Sequence, residues 1–159
     1  SLDLVRSLAE RRQITLIAEE SGMGTHMYAD RQRLKQVLLN LLSNAVKYNR
    51  EGGAVAVACS RAGEQVRVTV EDEGAGVAPD MVTRMFTPFD RLGAERSGVE
   101  GTGVGLSLVR HLVEAMGGRV GYEPREDGGS RFWFTLPLAV EGEPATEPDE
   151  DWRVAPNPR

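Results

Sequence analysis

Apolar residues recur at every third or fourth position in three stretches of this chain, and at every second position in five others. Leu2, Val5, Leu8 and Ala9 predict a short amphipathic helix over 2–12. A long helix runs from Asp30, a suitable N-cap, to about Tyr48. Leu106, Val109, Leu112, Val113 and Met116 form a third stripe, closed by Gly117-Gly118. Ile14, Leu16 and Ala18 alternate as a strand before turn residues Gly22 and Gly24. Val55, Val57 and Cys59, then Val66, Val68 and Val70, predict a hairpin around Gly63. Residues 119–123 and 130–138 predict a second, around Asp127-Gly128-Gly129. Pro79 starts a short helix reaching Met85, and 86–102 carry no clean period. From Glu141 the chain is rich in proline and acid, so residues 1–139 read as one domain and 140–159 as a flexible tail or linker.

On a helical wheel, Leu34, Val37, Leu38, Leu41, Leu42 and Ala45 cover one broad side of the long helix. Arg33, Gln36, Asn40, Ser43, Asn44 and Lys47 fall on the opposite strip. By itself that strip is equally a solvated face. Asparagine, however, forms helix less well than the Glu and Lys that a plain solvent face favours. Two asparagines one turn apart offer neutral carbonyl oxygens that suit a hard cation.

Strand alternation puts Asp72 on the same face as Val66, Val68 and Val70. A carboxylate there needs a partner, or it carries a desolvation cost. The exocyclic amine of a purine is one such partner. A plain Asp-x-Gly turn is the other reading of Asp72-Glu73-Gly74-Ala75-Gly76, whose glycines allow close approach to the backbone. A second glycine cluster, Gly101-Thr102-Gly103-Val104-Gly105, opens the third helix. Helix N-termini present free N–H groups and a positive dipole end, which attract phosphate. The cluster lacks the Gly-Lys-Ser/Thr of a P-loop, and no strand precedes it as a dinucleotide fingerprint requires. The unpatterned loop between Phe86 and Gly101 is long enough to be functional. Phe86 and Phe89 would anchor its base, and Arg91 and Arg96 would reach phosphate oxygens, so it reads as a lid.

Composition narrows the rest. The 159 residues, 40% hydrophobic and 27% charged, suffice for one domain with a sizeable core. A formal net charge of −5 argues against non-specific nucleic-acid binding. The single cysteine, Cys59, cannot form an internal disulfide and suits a reducing compartment; the domain is expected to be cytoplasmic, with the full-length protein either membrane-anchored or soluble. No apolar run approaches membrane-spanning length, so no membrane contact is expected of this domain.

In this order and spacing the segments resemble the catalytic, ATP-binding domain of sensor histidine kinases, within the wider family of gyrase, heat-shock chaperone, histidine kinase and mismatch-repair ATPases. The matching boxes are Asn40 to Tyr48, Asp72 to Gly76, Phe86 to Arg91 and Gly101 to Leu106. The resemblance covers about residues 2–138 and implies an α/β two-layer sandwich. A mixed, mostly antiparallel sheet would lie under three helices, with ATP between helices and lid. It further implies that Asp72 binds the adenine amino group, and that Asn40 and Asn44 hold Mg²⁺ together with the phosphates. Lys47 and Arg91 would contact phosphate, and Tyr48 would pack on the base. Gly74, Gly76, Val77, Phe89, Gly101, Thr102, Gly103, Val104, Gly105 and Leu106 would complete the ATP-binding set.

The family's phosphoacceptor is a histidine followed by an acidic residue on a dimerisation helix. His26 precedes Met27 and His111 precedes Leu112, so neither fits. The acceptor is expected upstream of Ser1, on a dimerisation domain of the same protein. A response-regulator receiver domain is the implied downstream partner. An ATP-dependent switch without transfer is the alternative. Hydrolysis of the chaperone type is disfavoured, because the helix strip carries Gln36, Asn40 and Asn44 but no Glu.

Overall fold

The computed structural model describes residues 2–19, 26–87 and 105–139, and the structural statements below concern those residues. The elements are α1 (Leu2–Arg11), β1 (Thr15–Glu19), α2 (Arg31–Lys47), β2 (Ala54–Ala62), β3 (Gln65–Asp72), α3 (Pro79–Val82), α4 (Gly105–Ala115), β4 (Val120–Pro124) and β5 (Ser130–Pro137). The five strands form one sheet in the order β1-β2-β3-β5-β4. Only β1 and β2 run parallel, because α2 lies between them in the chain as a crossover. The remaining pairs are antiparallel.

The alternation that predicts the strands also places the core. On β3, Val66, Val68, Val70 and Asp72 are buried, while Arg67, Thr69 and Glu71 between them are half-buried. Phe132, Phe134 and Leu136 continue the apolar face on β5. Val5 and Ala9 of α1, Val37, Leu41 and Ala45 of α2, and Val109 and Val113 of α4 pack onto it. Each fully buried valine or phenylalanine adds about 1.5–3 kcal/mol over an exposed one. The expected two-layer sandwich is therefore present, with three helices over a mixed, mostly antiparallel sheet.

Charged residues on the sheet's other face pair with one another. Arg131 bonds Glu71, Arg67 meets Glu123 at 2.8 Å, and Arg125 meets Glu71 at 3.4 Å. The Arg67 guanidinium also lies 4.5 Å from the Trp133 ring centroid. That ring covers Gly121, where a β-carbon would come within 2.3 Å of it. Glu123 is held below the usual carboxylate range, first by the Arg67 hydrogen bond.

Two boundaries differ from the sequence pattern. Helix α3 ends at Val82 rather than reaching Met85, because Met85 turns in to be buried in the core. Ile14 is buried but precedes β1, its N–H being taken by the carbonyl of Ala9. Both hairpin turns form as expected, with positive φ at Gly63 (64°), Gly128 (89°) and Gly129 (99°). The Gly22–Gly24 turn, residues 88–104 with nearly all of the lid between Phe86 and Gly101, and the 140–159 tail lie outside the described residues.

Candidate nucleotide site

Helix α2 is fixed at both ends. Asp30 has an extended backbone, and its Oδ1 accepts from the Arg33 N–H at 3.0 Å. At the other end the Arg12 guanidinium donates to the carbonyls of Val46 and Lys47, and to that of Asn49 at 2.7 Å. These are the acceptors that a helix C-terminus leaves unpaired, and a cation there also opposes the helix dipole.

On the polar strip of α2, Arg33 and Gln36 are exposed, while Asn40, Ser43, Asn44 and Lys47 are half-buried, with Asn40 and Asn44 beside the start of α4. Asn40 donates through Nδ2 to the Gly105 carbonyl at 3.4 Å, and its Oδ1 accepts from Gln36 Nε2 at 2.9 Å. A β-carbon on Gly105 would sit 4.0 Å from Asn44 Nδ2. Ser43 Oγ bonds back to the Asn40 carbonyl at 3.1 Å. Lys47 is half-buried on the same strip, and Leu106 packs its side chain on the core. Tyr48, the C-cap, is 42% exposed, which leaves ring surface open to a stacking partner.

Asp72 ends β3 with 4% exposure, in line with three buried valines. Its Oδ1 accepts from the Gly74 N–H at 2.9 Å. Burial pushes its pKa up, and the Gly74 and Ser130 amides and the Arg125 charge offset only part of that. The surrounding backbone is tightly packed. A β-carbon on Gly74 would lie 2.1 Å from the Tyr48 carbonyl oxygen, and one on Gly129 would lie 2.0 Å from that of Asp72. Gly76 takes a φ of 75° beside the Gly129 carbonyl. The Val77 N–H donates to the Tyr122 hydroxyl at 3.1 Å.

These contacts set the Asp72 segment and the start of α4 along one side of α2. Gly74 abuts the end of α2, while Asn44 and Asn40, about one and two turns back, meet the start of α4. Eight residues of helix from Asn40 to Tyr48 span about 12 Å, so the carboxylate and the α4 N-terminus lie toward opposite ends of one row. Phe86 packs against the core. Phe89, Arg91, Gly101, Thr102, Gly103 and Val104 lie outside the described residues. His26 and His111 are exposed. No group of three or more His, Cys, Asp or Glu side chains able to hold a metal occurs among the described residues. No described helix is long and apolar enough to cross a membrane.

Arg12, Asn49 and Tyr122 support the site without any signature in the sequence, and Gly129, legible as a turn residue, does so through a contact with the Asp72 carbonyl that no local pattern shows. Arg12 bonds partners 34 to 37 positions away, which no local pattern reveals.

The sequence profile of histidine kinase-, DNA gyrase B- and HSP90-like ATPases matches residues 29–140. The chain belongs to that family. It is 43% identical over 122 residues to the sensory/regulatory protein RpfC of Xanthomonas campestris pv. campestris, covering 72% of this chain and 16% of RpfC. Against the adaptive-response sensory kinase SasA of Synechococcus elongatus it is 38% identical, covering 80% of this chain and 33% of SasA. Against the sensor histidine kinase ZraS of Escherichia coli K12 it is 37% identical, covering 88% and 29%. The domain thus spans a third or less of the length of these relatives. Among solved structures, full-length ShkA in complex with AMPPNP superposes with a TM-score of 0.72 at 36% identity, covering 87% of this chain and 30% of ShkA. The catalytic domain of the histidine kinase ThkA superposes at 0.71 with 30% identity, covering 86% and 91%. ThkA is also known in complex with the response regulator protein TrrA. The family domain is the histidine-kinase ATPase type, and its fold is the one expected.

Proposed function

We propose that this domain binds Mg-ATP along α2 and supports transfer of the γ-phosphoryl group to a histidine outside the chain. The observation that carries the reading is Asp72: a buried carboxylate, its pKa raised by burial, set in an apolar row beside glycines that bring the backbone close. An adenine amine donating to it would stabilise the charged form that burial disfavours. Guanine would present a carbonyl there and be rejected. Tyr48 offers its exposed ring to the base, while Lys47 and Arg91 neutralise phosphate charge. The glycines ahead of α4 supply backbone N–H groups.

The donors available for a metal are neutral amides, Asn40 and Asn44, next to the phosphate end of the row. Such a pair completes a shell that phosphate oxygens begin, which fits Mg²⁺ arriving with the nucleotide. Bound there, Mg²⁺ would supply charge neutralisation on the β- and γ-phosphoryl oxygens. The chain's own residues hold the triphosphate in line and exclude water. The acceptor imidazole nitrogen then forms the new P–N bond as the bond to ADP breaks, and ADP leaves with that electron pair. The acceptor histidine belongs to a dimerisation domain, and the phosphohistidine would pass its group to a response regulator in the cytoplasm.

Labelled ATP, the isolated domain and its own dimerisation domain test the proposal together. Label is expected on the dimerisation domain and absent from this chain. Acid-labile phosphate on His26 or His111 would refute the assignment of the acceptor. Tight ATP binding with no transfer would favour a switch.

A further inference from the structure

The carboxylate and the helix that make up the proposed site belong to different elements, and one side chain outside the motif fastens them together. Asn49 follows the α2 C-cap and is 4% exposed. Its Nδ2 donates to the Ala54 carbonyl at 2.9 Å. Its Oδ1 accepts from the Arg50 N–H at 2.9 Å and from the Glu73 N–H at 3.2 Å. Glu73 returns the link, its Oε2 accepting from the Ala54 N–H at 2.8 Å. The fit is close: a β-carbon on Gly53 would lie 2.5 Å from Asn49 Oδ1.

Glu73 stands between Asp72 and Gly74, and the Gly74 N–H is the one that Asp72 Oδ1 accepts. Asn49 therefore holds the middle amide of the turn that orients the carboxylate. Tyr48, the residue before Asn49, carries the carbonyl against which Gly74 rests. We infer that Asn49 is a positioning residue for base selectivity: it fixes the Asp72 carboxylate relative to α2, so that a purine amine and the stacking ring are met at once. The inference rests on the proposed nucleotide reading.

The physical argument is one of geometry against mere affinity. A carboxylate whose turn can drift still attracts any donor, but it discriminates poorly between an amine and a carbonyl at one position. Removing Asn49 should thus lower the preference for adenine more than it lowers binding of the triphosphate.

The experiment measures Kd for ATP and for ITP, which replaces the amine by a carbonyl, by calorimetry on the folded domain. The variants are Asn49→Ala, Asn49→Ser and Asn49→Asp, with Val113→Ala as a remote destabilised control. Asn49→Ala should reduce the ITP-to-ATP ratio of Kd values about tenfold, the equivalent of one well-placed hydrogen bond. Asn49→Ser serves if the alanine variant does not fold, since its shorter side chain cannot reach Ala54 and Glu73 together. Asn49→Asp keeps the acceptor for the Arg50 and Glu73 amides but sets a carboxylate oxygen against the Ala54 carbonyl, so it should retain more selectivity than Asn49→Ala at a cost in stability. The control should lose stability with its ratio unchanged. A wild-type ratio in a folded Asn49→Ala or Asn49→Ser variant overturns the inference, provided Asp72→Asn abolishes selectivity. Absence of adenine preference in the wild-type domain would bring down the nucleotide reading itself.

Discussion

A β-carbon on Gly74 would lie 2.1 Å from the carbonyl oxygen of Tyr48. The contact is backbone against backbone, so neither side can rotate away. Gly74→Ala must push the Asp72 turn off the end of α2. Overpacking of this kind costs about 1–3 kcal/mol, and at this position it also moves the carboxylate. Gly63 provides the contrast: it has a φ of 64° in the β2–β3 turn, and a β-carbon there would meet nothing within 4 Å. Gly63→Ala should cost about 1–2 kcal/mol of backbone strain without changing ATP affinity. Gly74→Ala should lose both stability and affinity. Equal ATP affinity in the two folded variants, by calorimetry, would remove Gly74 from the site.

Asp72 predicts an opposition between stability and binding. Its native pKa is raised by burial, so the folded state holds the proton more firmly than the unfolded state does. The stability this contributes is complete below the ordinary Asp value of about 3.9 and is lost as pH rises through the native value. Once pH has risen past the unfolded value, the buried carboxyl therefore weakens the nucleotide-free fold. Asp72→Asn removes that loss and keeps an oxygen for the Gly74 amide. Thermal melts should show the variant more stable than wild type at pH 7, with the gap closing as pH approaches about 4. ATP affinity should meanwhile fall by one to two orders of magnitude, as expected for a lost charge-assisted hydrogen bond of about 1.5–3 kcal/mol. A variant less stable than wild type at pH 7 would mean that the amides and Arg125 outweigh burial.

The same residue shows how far the sequence could be read. Period-two alternation alone put Asp72 beside three valines, and the structure buries all four. The polar strip of α2 was equally visible, because a seventeen-residue helix fixes its faces by geometry. The supports of the site were hidden. Asn49 bonds Glu73 across 24 positions, and Tyr122 reaches Val77 across 45. The Gly128-Gly129 turn was legible as a turn. That it presses on the Asp72 carbonyl follows only from the β3–β5 register, which pairs Asp72 with Ser130. Local periods report which face a residue occupies, and pairing across the sheet decides what it touches.

Arg12 links the α1–β1 connection to the C-terminal carbonyls of α2. Arg12→Ala leaves three part-buried acceptors without their donor. Hydrogen bonds from a charged group are worth about 1.5–3 kcal/mol, and a loss of that size should appear in urea denaturation. Arg12→Lys should recover less than half of it, because a single ammonium cannot fork across carbonyls of successive residues. Because Lys47 and Tyr48 occupy the capped turn, ATP affinity should fall in parallel. Full rescue by lysine would show that charge near the helix end is sufficient and that the fork is not needed.

The metal should enter with the nucleotide. Asn40 and Asn44 are neutral, and the Asn40 oxygen already accepts from Gln36. Among the described residues no cluster of three acidic, His or Cys side chains stands ready for a cation. Mg²⁺ dehydrates reluctantly and is normally held by carboxylates together with substrate phosphates. Two amides do not offset that cost alone, but they add to a shell that a triphosphate begins. The nucleotide-free domain should therefore show no Mg²⁺ binding by calorimetry at millimolar metal, while ATP should bind more tightly once Mg²⁺ is added. Asn44→Ala should blunt that gain more than it weakens metal-free ADP binding, because the proposed site gives this amide to the metal shell and the base to Asp72. Asn44→Asp should do the reverse at the metal, adding a charge that attracts Mg²⁺ before nucleotide arrives. Tight binding of Mg²⁺ to the wild-type apo domain would place the metal on other side chains and leave α2 without a part in holding it.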